Sequence, residues 1–325
     1  MILAGDVGGT KSLLGMFRAD GDRPTPAVVR EYGTTDFESL AQLVETFLEE
    51  TGATSVDAAC FGVAGHVTGL VARLTNVPWL ADATVVQERL QRPTVLVNDL
   101  VALAHVIPML EPDEVAVLQE GTATPDGNAA LIAAGTGLGE AFLVNVDGHF
   151  VPSASEGGHA DFAPRTPREL ALVEHLWRAY GRVDNERVIS GPGIVNIYGF
   201  THGLADASRR CAAVSGADEA ELPAAITRAG MARRCEACVE TLEMFVEAYG
   251  SEAGNLALRT AATAGVYIGG GIAPKILPAL ERGPFLDALR DKDPMTDFLR
   301  TLPVSVILNP SAGLLGAAVR GSGLL

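Results

Sequence analysis

Twice along this chain an apolar run stops at a cluster of glycines and then resumes, at residues 2–17 and again at 129–146. The first copy runs Ile2-Leu3-Ala4, then Gly5-Asp6-Val7-Gly8-Gly9-Thr10, then Lys11-Ser12-Leu13-Leu14-Gly15-Met16-Phe17. The second runs from Ala129–Ala134 through Gly135-Thr136-Gly137-Leu138-Gly139 into Ala141–Val146. Each pattern predicts strand, tight turn, strand. Two such modules in 325 residues predict two α/β lobes related by a weak duplication of structure, too diverged to be a sequence repeat.

The turn chemistry is specific. A glycine turn lets main-chain N–H groups approach a phosphate closely, because no side chain blocks the way. Thr10 adds a hydroxyl donor. Asp6 would repel a phosphate directly but can hold a Mg²⁺ that binds one. An ordinary hairpin turn uses the same residue types, so the first turn alone leaves both readings open. Two other phosphate loops do not fit. Gly5 to Ser12 nearly matches the P-loop, but Thr10 stands where the second glycine belongs and a strand-like run follows where a helix should start. Gly135 to Glu140 has the first two glycines of the dinucleotide fingerprint and Glu140 in place of the last.

Composition narrows the partners. A net charge of −16 argues against nucleic acid and anionic membrane surfaces. It also requires local donors and a metal to hold an anionic ligand. The 36 glycines cluster in turns without a period, which excludes a collagen-like chain. The N-terminus lacks a basic signal-peptide start, and no apolar run is long enough to span a membrane, so a cytoplasmic location is expected. Of the four cysteines, Cys235-Glu236-Ala237-Cys238 resembles half a zinc site. It lies in Met231–Tyr249, a stretch of helical character with no second pair of ligands, so two thiols one turn apart on a helix are expected.

Along the chain, Ala27–Tyr32 predicts a strand, and Thr35-Asp36-Phe37-Glu38 a capping box opening a helix through Glu50. Val56–Val63, Val67–Leu74 and the short Thr94–Val97 predict strands, and Leu100 to Leu110 a helix. Pro108 and Pro112 punctuate the chain, as does Asn309-Pro310. Helices dominate from Pro167 to Thr263. Gly265–Ile268 predicts a strand running into Gly269-Gly270-Gly271, with Pro274 opening a helix. Val304–Leu308 predicts a late strand and Ser311–Arg320 a last helix. The resulting division is a small α/β domain of residues 1–109 with 310–325, and a large one of 110–309.

Asn98-Asp99 ends a buried strand, where open α/β sheets bind ligands. Asp99 would sit near the N-terminus of the next helix, and an ionised carboxylate placed there can take a proton from an attacking hydroxyl. A simple helix N-cap is the competing reading. Glu156-Gly157-Gly158-His159 and the segment Glu186-Arg187-Val188-Ile189-Ser190-Gly191-Pro192-Gly193 offer acceptors and donors to a ligand rich in hydroxyls. Taken singly, Glu186 is also a plausible surface acid and His159 a satisfied loop histidine.

The ordered set G-D-V-G-G-T, L-T-N-x-x-W, V-N-D, G-T-G-L-G, S-E-G-G-H, E-R-V-I-S-G-P-G and G-G-G-I resembles bacterial ATP-dependent glucokinases of the enterobacterial type, from residue 2 to about 318. The resemblance implies the two-domain actin-like, ribonuclease H-like ATPase fold, with a ligand cleft between the lobes. It implies that Gly5, Asp6, Val7, Gly8, Gly9 and Thr10 bind ATP phosphates, with Asp6 toward Mg²⁺. Gly135, Thr136 and Gly137 would form the second phosphate turn, and Gly269, Gly270 and Gly271 would lie near the adenosine. Asp99 would be the base that receives the proton of the glucose 6-hydroxyl. Asn98, Glu156, His159 and Glu186 would hold the other sugar hydroxyls. A homodimer is implied as well. Lys11 departs from the pattern, standing where such relatives often carry Asn, either to steady phosphate charge or to point into solvent. The cysteine-rich zinc motif that the related kinase–repressor family carries after its E-x-G-H segment is absent. A kinase of another hexose or N-acetylhexosamine fits the same residues, and so does a sugar-sensing regulator, although no basic DNA-binding segment is present.

Overall fold

The computed structural model describes residues 1–74, 77–203 and 210–325, so Thr75 and Asn76 of the L-T-N-x-x-W motif lie outside the described residues. The chain divides into two compact units, Met1–Glu114 with Asn309–Leu325, and Val115–Leu308.

The first unit begins β1 (Ile2–Val7), β2 (Lys11–Arg18), β3 (Thr25–Gly33), α1 (Leu40–Thr51) and β4 (Ala58–Val63). It continues through β5 (Gly65–Thr68), β6 (Val71–Leu74), β7 (Leu80–Asp82), α2 (Ala83–Leu90), β8 (Thr94–Asn98) and α3 (Asp99–Val106). Its main sheet has the order β3-β2-β1-β4-β8. The first three strands pair antiparallel, while β1, β4 and β8 run parallel. Strands β1 and β4 are apolar along nearly their whole length and buried, which suits central parallel strands covered on both faces. Strand β3 is exposed at most positions and takes the edge.

Two local expectations are corrected. Helix α1 is capped by Ser39, whose hydroxyl accepts from the Gln42 N–H, and not by the Thr35 box; Thr34–Asp36 forms a separate 3₁₀ turn. Ser39 competes better because the apolar stripe Leu40, Leu43, Val44 and Phe47 starts directly after it. The single strand expected at Val67–Leu74 is the hairpin β5–β6, turned at Gly69, which has φ +63°.

The second unit contains β9 (Val115–Gln119), β10 (Ala129–Ala134), β11 (Leu138–Val146), β12 (His149–Ser155), α4 (Pro167–Tyr180), α5 (Gly191–Thr201) and α6 (Leu222–Met231). Then come α7 (Glu236–Thr260), β13 (Gly265–Gly269), α8 (Leu277–Leu280), α9 (Pro284–Arg290), α10 (Thr296–Thr301) and β14 (Val304–Ile307). Its sheet order, β12-β11-β10-β13-β14-β9, repeats the first sheet's pattern of three antiparallel strands followed by parallel ones. Strand β9 adds an antiparallel edge. The long α7 runs through the core, and Gly250 and Gly254 let it touch the α9 backbone, where a side chain would strike the carbonyls of Phe285 and Leu289. Pro274 opens only a 3₁₀ turn, Ala273–Ile276, ahead of the single-turn α8.

The last helix, α11 (Ala312–Ser322), returns to the first unit. Gly316 brings it against the Ala102 carbonyl of α3, a contact no larger residue would permit. Glu114, where the chain leaves this unit, clasps the point of return. It accepts two bonds from Arg23 at 2.7 Å each and one from the Asn309 amide at 2.6 Å. The paired Arg23 guanidinium holds the Glu114 carboxyl down at about 2.

Candidate active site

In the first unit the turn after β1 is closed by Gly8 N–H donating to the Lys11 carbonyl at 3.0 Å. Thr34, fully buried, braces it from β3's end. Its hydroxyl donates to the Gly8 carbonyl at 2.9 Å, and its N–H donates to the Thr10 carbonyl at 3.0 Å. The buried Ser12 hydroxyl, 2.8 Å from that of Thr34, must then donate to it. Thr34 and Ser12 were not among the candidates, because buried hydroxyls in strand-like runs carry no local signal. Gly5 is required by packing, since an added Cβ would lie 2.5 Å from the Phe61 ring.

Two carboxylates gather beside this turn. Asp6, near the end of β1, faces Gly313 of α11, where a Cβ would come within 2.6 Å of its oxygen. Asp99 is the first residue of α3, and its Oδ1 accepts from the Leu100 N–H at 3.0 Å. Asn98 is the actual N-cap: its Oδ1 accepts from Leu100 N–H at 2.9 Å and its Nδ2 donates to the Gly65 carbonyl at 3.2 Å. The cap reading therefore belongs to Asn98, leaving Asp99 poised at the helix start. Burial pushes the Asp6 carboxyl up to about 6. Burial, and then the neighbouring Asp6, push Asp99 up to about 7. Among the described residues no cationic side chain offsets either one. Lys11 does not serve, because its ammonium pairs with Glu31 at 2.7 Å on an exposed face.

In the second unit the glycine turn is shorter than expected, because Leu138 and Gly139 already belong to β11. Gly135 N–H donates to the Gly137 carbonyl, and Gly191 N–H at the start of α5 donates to the Gly135 carbonyl, both at 2.8 Å. Glu186 joins this turn directly: its Oε2 accepts from the Leu138 N–H at 2.9 Å, and Gly137 leaves room for it. The Glu156–His159 segment forms a 3₁₀ turn stitched to the loop at residues 185–186. Glu186 N–H donates to the Gly158 carbonyl at 2.8 Å, and the buried Asn185 amide donates to the Gly157 carbonyl at 3.2 Å. Glu156 and His159 are exposed, and His159 Nδ1 lies 3.7 Å from an Asp184 oxygen. Glu156, His159, Glu186 and the second turn thus come together in this unit. Gly269–Gly271 lies alongside: Gly270, at φ +83°, packs on the Ala134 carbonyl, and Ile272 N–H donates to that same carbonyl at 3.3 Å. The buried Tyr249 hydroxyl accepts from Ala134 N–H at 3.2 Å and sits 3.4 Å from the Gly269 carbonyl, bracing the ends of β10 and β13. Glu140 is buried against Gly157 without a hydrogen-bond partner, and burial followed by Glu252 pushes its carboxyl up to about 8. Sequence reading missed Tyr249, a core residue by pattern, and weighed Glu140 only as a misfit glycine.

The glucokinase family model matches residues 3–322. A glucokinase of Nostoc punctiforme is 38% identical over 98% of this chain and 98% of its own length. The chain belongs to the glucokinase family. Its fold is the actin-like ATPase fold. A solved glucokinase structure from an Antarctic psychrotroph superposes with a TM-score of 0.85 at 28% identity, covering 99% of this chain and 98% of that one. A ROK-family glucokinase from Streptomyces griseus, solved with glucose and AMPPNP, shares the fold alone, at a TM-score of 0.63 and 18% identity, covering 99% of each chain. Family membership confirms the resemblance drawn from the motif order.

Proposed function

We propose that the chain transfers the terminal phosphoryl group of ATP to the 6-hydroxyl of glucose, with Asp99 receiving the hydroxyl proton. The supporting observation is Asp99 itself: a buried carboxylate at the head of a helix beside a glycine turn, sharing the Leu100 N–H with the Asn98 cap, with a pKa raised to about 7. A base with such a pKa is roughly half ionised near pH 7 and accepts a proton readily. Asn98, Glu156, His159 and Glu186 are assigned to the remaining sugar hydroxyls, and the Asn98 cap keeps its amide rigid for that task. Gly5–Thr10 and Gly135–Gly137 are assigned to the phosphates, Gly269–Gly271 to the adenosine. The two uncompensated carboxylates suit a divalent cation, so Asp6 would hold the Mg²⁺ that travels with ATP. When bound, that ion supplies charge neutralisation on the phosphates. The remaining work is positioning by the protein's own groups.

The test is ADP release with Mg²⁺ and ATP across glucose, other hexoses and N-acetylhexosamines, with a no-sugar control. Sugar-dependent release with the highest kcat/KM for glucose is expected. Release independent of sugar would sink the reading, and a higher kcat/KM for another sugar would reassign the acceptor. A cytoplasmic homodimer is part of the same proposal. In support, no helix among the described residues is long and apolar enough to cross a membrane, and α4 exposes Leu170 and Trp177 on its outer side. Light scattering and cell fractionation test these two points.

A further inference from the structure

The expectation that Cys235 and Cys238 have no further ligand partners is not met. His202, at the C-terminal end of α5, and Cys211, in the segment after it, come to the same place, and the four ligand atoms lie within 4.8 Å of one another. Sequence spacing could not show this, because His202 and Cys211 lie 33 and 24 residues before Cys235 on other elements.

The distances have a definite meaning. Sγ of Cys211 and Sγ of Cys238 are 3.9 Å apart. His202 Nε2 lies 3.4 Å from the Cys235 sulfur and 3.9 Å from the Cys238 sulfur. Tetrahedral zinc, with Zn–S near 2.3 Å and Zn–N near 2.0 Å, requires sulfurs about 3.8 Å apart and sulfur–nitrogen separations of about 3.5 Å. A disulfide would need the sulfurs about 2 Å apart.

The surroundings prepare each ligand. His202 Nδ1 is 2.9 Å from the Tyr198 carbonyl, which can only accept. The proton therefore sits on Nδ1, and the Nε2 lone pair points at the thiols, the arrangement that metal-bound histidines need. The Tyr198 ring stacks on the His202 ring at 3.9 Å, and its hydroxyl accepts from the Cys211 N–H at 2.7 Å. One fully buried tyrosine thus orients two of the four ligands. Cys235 is the N-cap of α7 and Cys238 lies in its first turn, where the dipole of a 25-residue helix favours thiolates. Gly230 lets α6 approach the Cys238 carbonyl at this point.

We propose that His202, Cys211, Cys235 and Cys238 form a structural zinc site that staples the end of α5 to the start of α7. All four tetrahedral positions are filled by protein, so the ion is structural and takes no substrate. Helix α5 begins at Gly191, whose N–H holds the second glycine turn, so the zinc anchors the far end of the helix that supports that turn.

The experiment is metal analysis of the untagged full chain, grown with zinc and purified without chelator. About one zinc per chain is expected, a closed four-ligand site needing one ion. Cys235→Ser and Cys211→Ser should lose it, while Cys60→Ala, in the other unit, should keep it. Stripping the metal should lower the Tm by about 5 °C or more. Cobalt replacement in the wild-type chain should give the visible bands of tetrahedral cobalt with sulfur charge transfer, which keeps the test decisive should the serine variants fail to fold. Zinc-free protein of unchanged Tm that also gives no such cobalt spectrum would overturn the proposal. So would a Cys211–Cys238 disulfide in the isolated protein, or metal that survives Cys235→Ser.

Discussion

The two glycine turns share a backbone plan and differ in charge. Both follow the central strand of a sheet with the same strand order, and both return antiparallel into the next strand. At the fifth residue of the strand the first has Asp6 and the second Ala133. The first turn therefore carries a carboxylate of its own, joined by Asp99. The second offers main-chain donors and the Thr136 hydroxyl but no carboxylate of its own, and one main-chain donor, Leu138 N–H, already holds a carboxylate, that of Glu186. One backbone module suits a cation and a proton acceptor, its copy suits an anion, and a few side chains decide which.

The sharpest way to break this contrast is Asp99→Asn, which removes the proton acceptor and keeps the shape. Turnover should fall roughly 10²–10⁴-fold in an ADP-release assay, with glucose KM changing less. Near-normal turnover would leave the first turn without special chemistry. The pH profile sharpens the same point. With the Asp99 carboxyl raised to about 7 by burial and then Asp6, kcat/KM should fall about tenfold per unit as pH drops below 7. An acid limb near pH 4 would mean an unperturbed carboxylate.

On the second side, Glu156→Gln and Glu186→Gln should raise glucose KM about tenfold or more, the cost of losing a charged hydrogen bond. An unchanged KM would remove that residue from the sugar. Stability gives a smaller, oppositely signed effect. Asp99 binds its proton more tightly folded than unfolded, so its contribution is fully present below about pH 4 and is lost as pH rises through about 7. Asp99→Asn should therefore be more stable than wild type at pH 8, by ~1–2 kcal/mol in urea unfolding, with the gain gone near pH 3. The smallest effect is expected from Lys11→Gln, less than about twofold in kcat or KM, since its exposed pair with Glu31 contributes little.

What was legible in the sequence follows from how local each signal is. The strand–turn–strand modules, β8 running into Asn98-Asp99 and the late helix were readable because apolar period and glycine position act over a few residues. The capping of α1 was misread because two plausible caps lie four residues apart and only packing of the apolar stripe chooses Ser39. Strand β9 was missed because it pairs with β14, almost two hundred residues away, and its own exposure pattern is irregular. Thr34, Tyr249 and Glu140 were invisible as site residues for a related reason. Each acts on residues distant in sequence, and nothing in its own sequence neighbourhood marks it.

The return of α11 to the first unit also governs the order in which this protein can be made. Val115–Leu308 is one unbroken stretch and can fold as it leaves the ribosome. The first unit must wait for Ala312–Ser322, which a ribosome adding ~5–20 residues per second delivers roughly 10–40 s after Glu114. Throughout that delay the apolar faces that α11 will cover stand open to chaperones, so newborn chains should depend on assistance chiefly through their oldest residues.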